Sequence, residues 1–371
     1  MDHIEGTQQH CAAAAIVQAA LRAVLAKVTP GTTVESLCQF GDDIVEGYAQ
    51  QLYPDPKLEK GVAFPTSIAL NCQVQNISPT EDASLVISAG DVVKVELAAQ
   101  VEGYVASQAH TMVVNLSPDQ PISDRRADVV CAAKIANEAA IRTLHPGAKA
   151  SQVTAITQEV AKIFHCSPVE ATYSHSVKRF VLSGQKLIPN HFNPSEGFRD
   201  FEFQVGDVYT INTVMSSGPG KIKDSGDKVC IFQRDVNCKY HPKLSSAKQL
   251  GAKINKQFPV FPFAIKNIAD LRLRLGLSEL VNHGLLIPFP ILTEKKDHFV
   301  AQFQATVVVT LDGPVCLTPA IDMSFVHSTH NIPSDASAAK LMNKCVDIAK
   351  LPELPVLTNQ PVLKGASMDV I

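Results

Sequence analysis

At 371 residues, 46% hydrophobic and 19% charged, the chain holds enough apolar material for a sizeable core, spread over two or three domains or one large domain built from two halves. A formal net charge of −3 excludes a general polycation, so any nucleic-acid binding must come from a local patch. No apolar run approaches the ~18–20 residues of a membrane span, and the first residues lack the basic-then-apolar pattern of a secretory signal.

Residues 11–28, CAAAAIVQAALRAVLAKV, predict a largely buried helix that Pro30-Gly31 stops. Thr32 with Glu35 three residues on resembles a capping box opening a second helix to about Tyr53, closed by Pro54 and Pro56. Between 61 and 115, GVAFPTSIALN, DVVKVELAAQ and YVASQAHTMVVNL read as strands separated by turn-like clusters. The order then repeats. Residues 127–144 form an Ala-rich helix ending at Pro146-Gly147, residues 150–164 a second helix, and strands follow through GDVYTINTVMSS. GDVVKVELA (90–98) and GDVYTINTV (206–214) share an offset with TPGTT (29–33) and HPGAK (145–149). Two helices then strands, twice over, is an α+β pattern with internal pseudo-symmetry.

The last third differs. Residues 219–256 are Lys-rich and polar, 268–283 read as helical with NHG as the stop, and LLIPFPIL, HFVAQFQATVVVTL and PVCLTPA as strands. Asp312-Gly313 is expected to turn a hairpin. FPVFPF (258–263) is expected to be packed rather than an exposed docking strip. A short helix over 336–348 and an extended end should close the chain. The nine cysteines are odd in number and never form C-x-x-C, which argues against a disulfide framework and a cysteine-held zinc. Reduced, mostly buried thiols are expected.

Strand alternation puts Lys94, Glu96 and Ala98 on one face of the first echo, and Thr210, Asn212 and Val214 on the matching face of the second. Glu96 and Asn212 thus occupy equivalent places, where a pseudo-two-fold would bring them together. Paired carboxylates there would cradle divalent metal, but only one is present. Taken alone, Glu96 beside Lys94 also fits an ordinary polar strand face, and His175 an ordinary hydrogen-bonded core histidine.

GVAFPTSIALNCQVQNISP (61–79), KVELAAQVEGYVASQAHT (94–111), SHSV (174–177), VYTINT (208–213) and AQFQAT (301–306) resemble, in order, the motifs of the methionine-aminopeptidase family. The resemblance runs from about residue 11 to 330. It implies a duplicated pita-bread α+β fold, curved antiparallel sheets flanked by helices. The implied halves are 11–115 and 127–218, completed by strands in 284–320, with a basic insertion at 219–256. Together they make a domain over 1–330, with a C-terminal extension over 331–371. SSG-x-GK-x-KD (216–224) and the SH pair are similar to the proliferation-associated, ErbB-receptor-binding subgroup.

Active members hold two metal ions on two aspartates, a histidine and two glutamates, with a further histidine assisting. Carried over by motif, these fall on Glu96 and Ser107, on His175, on Asn212 and Gln304, and on Asn76. One carboxylate and one imidazole against four positive charges cannot hold the pair, so no metal-activated water forms and the resemblance implies no catalytic residues, metal or cofactor. Neutral amides are expected to hydrogen-bond across the emptied pocket, since carboxylates without metal would repel. A mononuclear site on Glu96 and His175 with weak hydrolysis is the enzyme alternative, and a pure protein scaffold the third reading.

Outside the pocket the strongest signal is charge. Lys221, Lys223, Lys228, Arg234, Lys239, Lys243, Lys248, Lys253 and Lys256 stand against Asp224, Asp227 and Asp235, an excess of six that leaves the remainder of the chain at −9. Such a segment can neutralise phosphates, and by itself it equally suits a solvated surface. Together with the resemblance it implies binding of ribosomal or other structured RNA and protein partners. The lack of a membrane-length apolar run points to no membrane, the scattered thiols to cytoplasmic and also nuclear placement, and a monomer is expected. The subgroup's lysine-rich tail is not matched by the closing GASMDVI.

Overall fold

In a computed structural model describing residues 4–83, 85–114, 121–193, 197–322 and 326–363, the chain begins with helix α1 (Thr7–Leu25). Ala12–Ala15 are all buried, and their small side chains let the helix lie close on the sheet. Helix α2 (Val34–Leu52) follows, capped by Thr33, whose hydroxyl accepts the Ser36 amide at 3.3 Å. The cap lies one residue beyond the expected Thr32 because Thr33 has the extended backbone that a cap needs, and the Thr32 hydroxyl is bonded back to Thr29. Next come β1 (Lys60–Leu70), β2 (Gln73–Gln75), β3 (Val92–Val101) and β4 (Tyr104–Val113).

The second round has α3 (Arg125–Ile141), α4 (Ser151–Ile163), β5 (Ser167–Pro168), β6 (Tyr173–Val177), β7 (Leu187–Pro189) and β8 (Val208–Ser216). Then follow β9 (Lys223–Asp224), β10 (Ile231–Arg234), α5 (Ser245–Gln257), β11 (Phe263–Ala264), α6 (Leu271–Arg274) and α7 (Leu277–Asn282). The chain closes with β12 (Leu286–Phe289), β13 (Leu292–Thr293), β14 (Val300–Thr310), β15 (Gly313–Cys316), α8 (Ser337–Met342) and β16 (Asp347–Ile348).

Among the described residues, a ten-stranded sheet runs β1-β3-β4-β14-β8-β6-β7, with β5, β15 and β16 joined at its sides. Helix α1 covers β3 and β4, and α3 covers β8 and β14. Val93, Val95 and Leu97 point into the core under α1, Tyr209 and Ile211 into the core under α3. The intervening residues face away from the helices, and there the candidate site lies. Two small sheets, β11-β10-β12 and β2-β13-β9, flank it. Cys230, Ile231, Phe232, Leu250 and Ile254 bury themselves in the same core as α1 and α2, so the basic segment is packed onto the first half.

Three further local expectations need correction. The helix expected over 268–283 is broken into α6 and α7 at Gly276. A Cβ there would lie 2.5 Å from the α5 backbone at Ala247, so tertiary crowding interrupts the helix. The hairpin turn is Leu311-Asp312, not Asp312-Gly313, because Thr310 pairs with Gly313. The helix expected over 336–348 stops at Met342, and Asp347–Ile348 instead adds a parallel strand to the otherwise open edge of β15. FPVFPF is packed, with Phe263 buried in β11. All nine thiols are free, five of them buried. The closing GASMDVI lies outside the described residues.

Candidate functional site

Two rows of side chains cross the sheet on its helix-free face. Strand register aligns Ser67, Glu96, Ala109, Gln304 and Asn212 across β1, β3, β4, β14 and β8. The adjacent row runs from Ser107, whose backbone amide meets the Thr306 hydroxyl at 2.8 Å, through Thr210 to His175 on β6. Glu96, Ser107, His175, Asn212, Gln304 and Asn76 line one cavity of about 280 Å³, walled by Phe64, Leu182 and Phe289. The structure therefore brings all six motif-matched positions together.

Their polar atoms are mostly committed to one another. Gln304 Nε2 donates to Glu96 Oε1 at 3.1 Å. Asn212 Nδ2 donates to the Tyr173 carbonyl at 3.4 Å, and its Oδ1 accepts from Gln302 Nε2 at 3.0 Å. Its backbone is held by Ser174 and Asn190. The Ser107 hydroxyl shares a 3.0 Å hydrogen bond with Thr210. Asn76, in the left-handed region at φ 71°, donates to the Pro290 carbonyl at 3.0 Å. Two lining atoms, Gln304 Oε1 and His175 Nδ1, are buried without a hydrogen-bond partner.

Burial dominates the titration of both ionisable groups. It pushes the Glu96 carboxyl up, against the amides of Gln302 and Gln304 that pull it down. It pulls His175 down to about 4, with the Ser176 backbone acting the other way. Burial thus shifts each group towards its neutral form. Gln302, 1% exposed, was not singled out from the sequence. It lies two residues from Gln304 in AQFQAT, so strand alternation alone puts both on the same face.

A dinuclear site asks for anionic bridging ligands. Here Glu96 is the one carboxylate in the two rows, with one oxygen engaged by Gln304, while Asn212 and Ser107 spend their donors and acceptors on protein groups. Among the described residues, no group of three or more His, Cys, Asp or Glu is placed to hold an ion. This donor set does not fit two divalent cations.

The nine basic residues fall on separate pieces. Lys221 and Lys223 lie beside or within β9, Lys228 precedes β10 and Arg234 ends it. Lys239 and Lys243 lie before α5, and Lys248, Lys253 and Lys256 on α5 itself. The buried stripe of α5 is Ala247, Leu250 and Ile254, which turns its three lysines away from the core. No described helix is long and apolar enough to cross a membrane.

This sheet order, with helices on one face and a cleft on the other, defines the pita-bread class shared by aminopeptidases and prolidases. The chain belongs to metallopeptidase family M24, whose model matches residues 8–310. It is 32% identical over 362 residues to Proliferation-associated protein A of Dictyostelium discoideum, covering 97% of this chain and 91% of that one. It is also 32% identical over 323 residues to the Curved DNA-binding protein of Schizosaccharomyces pombe, covering 85% and 83%. A solved structure of a thermophilic Arx1 superposes with a TM-score of 0.84 at 24% identity, over 91% of this chain and 98% of that one, which shows the shared fold.

Proposed function

We propose that this chain is a non-catalytic member of its family that works by binding: ribosomal or other structured RNA through the 221–256 segment, and protein partners through the former peptide cleft, as a monomer in cytoplasm and nucleus. The observation that carries the reading is the Gln304–Glu96 hydrogen bond, which places a neutral amide and a proton-favouring carboxyl where the chemistry of the active members needs anions. Loss of hydrolysis leaves the basic segment as the feature with a ready chemical partner, the phosphate backbone. The Schizosaccharomyces pombe relative is named a curved DNA-binding protein, which supports a nucleic-acid role. Co-sedimentation with ribosomes across a salt series is the test. Retention that falls steeply with salt is expected, and salt-insensitive partner binding without RNA retention would favour a protein scaffold.

A second reading, a weak mononuclear aminopeptidase, draws on Glu96 and the unbonded His175 Nδ1 lining the same cavity. Metal analysis by mass spectrometry separates the two. A tightly held ion lost on His175→Ala, with release of N-terminal methionine from peptides, would replace the binding reading.

A further inference from the structure

Beside α5 lies a second cavity, of about 430 Å³, separate from the cleft and within the size range of small-ligand sites (roughly 300–1,000 Å³). Tyr240, Arg234, His241 and Lys248 line it over an apolar floor that includes Leu280 and Leu285. The Tyr240 ring is fixed at both ends. One face stacks on His283, centroids 3.9 Å apart and planes within 10°, and the hydroxyl donates to Glu279 at 2.9 Å. Glu279 also accepts the backbone amides of Lys243 and Leu244, which hold its carboxyl below the usual range, the Lys243 amide foremost. Glu279 is thereby kept ionised and tied to the loop before α5. The acid in the lining, Asp235, accepts the Asn237 amide at 2.8 Å. Arg234, which lines the cavity, is anchored by its guanidinium to the Pro259 carbonyl at 3.1 Å.

A pre-ordered aromatic ring, an apolar floor and two cations at the wall match one ligand chemistry: a flat, uncharged ring joined to an anion. Phosphate alone would make no use of the ring and the floor, and a duplex keeps its bases stacked inside. We propose that this cavity seats one unstacked nucleobase of single-stranded RNA, packed against Tyr240 with its flanking phosphates at Arg234 and Lys248. Base-on-aromatic stacking beside cations is how single strands are held without sequence readout. This inference rests on the RNA-binding reading above and gives it a point of attachment.

The test compares two probes of equal charge on the full chain by fluorescence anisotropy: a six-nucleotide oligoadenylate and an abasic ribose-phosphate hexamer. The oligoadenylate is expected to bind about tenfold tighter or more. Tyr240→Leu should remove that ratio while leaving the weaker, salt-dependent binding of both probes. Equal binding of the two probes by the unsubstituted protein overturns the nucleobase site and leaves phosphate binding by the basic segment standing. A ratio that survives Tyr240→Leu, in a variant whose melting shows it folded, places the base elsewhere and also overturns the proposal. Failure of the unsubstituted protein to retain both the hexamers and ribosomal RNA would remove the RNA-binding reading itself.

Discussion

Gln304 reaches across a whole strand to Glu96. The two lie on β14 and β3, and β4 runs between them, yet their side chains meet at 3.1 Å because the residue between them in the row is Ala109. A larger side chain there would stand between the amide and the carboxyl. The contact therefore depends on three strands in one register.

Glu96→Gln should stabilise the protein at neutral pH. Burial raises the folded-state pKa of Glu96 above its unfolded value, so the native state binds the extra proton. The stabilisation from this group is complete below the unfolded value and is lost as pH rises through the folded one. At pH 7.5 the substitution should gain roughly 1–2 kcal/mol, the scale of relieving a poorly satisfied buried group. Melting curves for the two proteins should converge below about pH 4. A loss of stability at pH 7.5 would show that a positive group or bound ion balances the carboxylate.

His175 should stay neutral across the physiological range. Its pKa is pulled by burial to about 4, and His110 is pulled to about 4 in the same way, with Lys134 adding to the effect. For both, the unfolded chain binds the proton first. Their contribution is fully present above pH ~6.5 and drains away as pH falls towards the folded-state values. His175→Gln should flatten the dependence of unfolding free energy on pH by up to about 1.4 kcal/mol per pH unit in that window. Ring titration by NMR measures the same quantity directly. A midpoint for His175 near 6.5 would contradict the burial argument.

The turn that follows β11 is tied to α2 by a buried ion pair, Lys266 with Asp42, at 3.0 Å with side chains 6% and 7% exposed. Burial pulls Lys266 down, but Asp42, then Cys38, outweigh it and raise it overall. Asp42 also accepts the Thr66 amide at 2.7 Å. Asp42→Asn should cost about 3–5 kcal/mol, since it leaves a buried ammonium without its counterion. Adding Lys266→Met to it should recover much of the loss. Chemical denaturation of the four proteins as a double-mutant cycle checks this, and additive losses would mean the two residues are not coupled.

The long helices and strands were legible because their signals are local. Ala-rich apolar runs, Pro-Gly stops and two-residue alternation located α1, α3, β3 and β8 to within a few residues. Gly276 was not legible as a break, because nothing nearby in sequence reveals that α5 passes against it. The strand at Asp347–Ile348 escaped notice for the same reason: its partner β15 is an edge only in the folded sheet. In the cleft, motif order pointed to six of the residues that line it. The Gln304–Glu96 bond, between residues 208 apart, required the strand order β3-β4-β14, and Gln302 gained its role only from the neighbour that β8 presents, Asn212.

Salt dependence addresses the basic segment. Lys243, Lys248 and Lys253 are three of its nine cations, the last two turned outward on α5. Changing all three to Glu should reduce the slope of log affinity against log salt for ribosomal RNA by roughly 2–3, about 0.7–0.9 for each phosphate no longer neutralised. Filter binding between low and physiological salt reads this out. An unchanged slope would remove these lysines from the interface.

Restoring charge to the two rows tests whether they are the remains of a metal cradle. Ser107→Asp, Asn212→Glu and Gln304→Glu together would gather four carboxylates, with Glu96, around His175. Opposite positions on neighbouring strands lie about 4.5–5.5 Å apart, so in the presence of a chelator the like charges should lower the melting temperature markedly. Manganese or cobalt should then raise it again with increasing concentration, because an ion bound only by the folded state stabilises by mass action. The unsubstituted protein should not respond. If the triple variant does not fold in chelator, Asn212→Glu with Gln304→Glu carries the same test with less repulsion. A variant that folds and melts identically with and without the ion would mean that these side chains do not converge as a cradle.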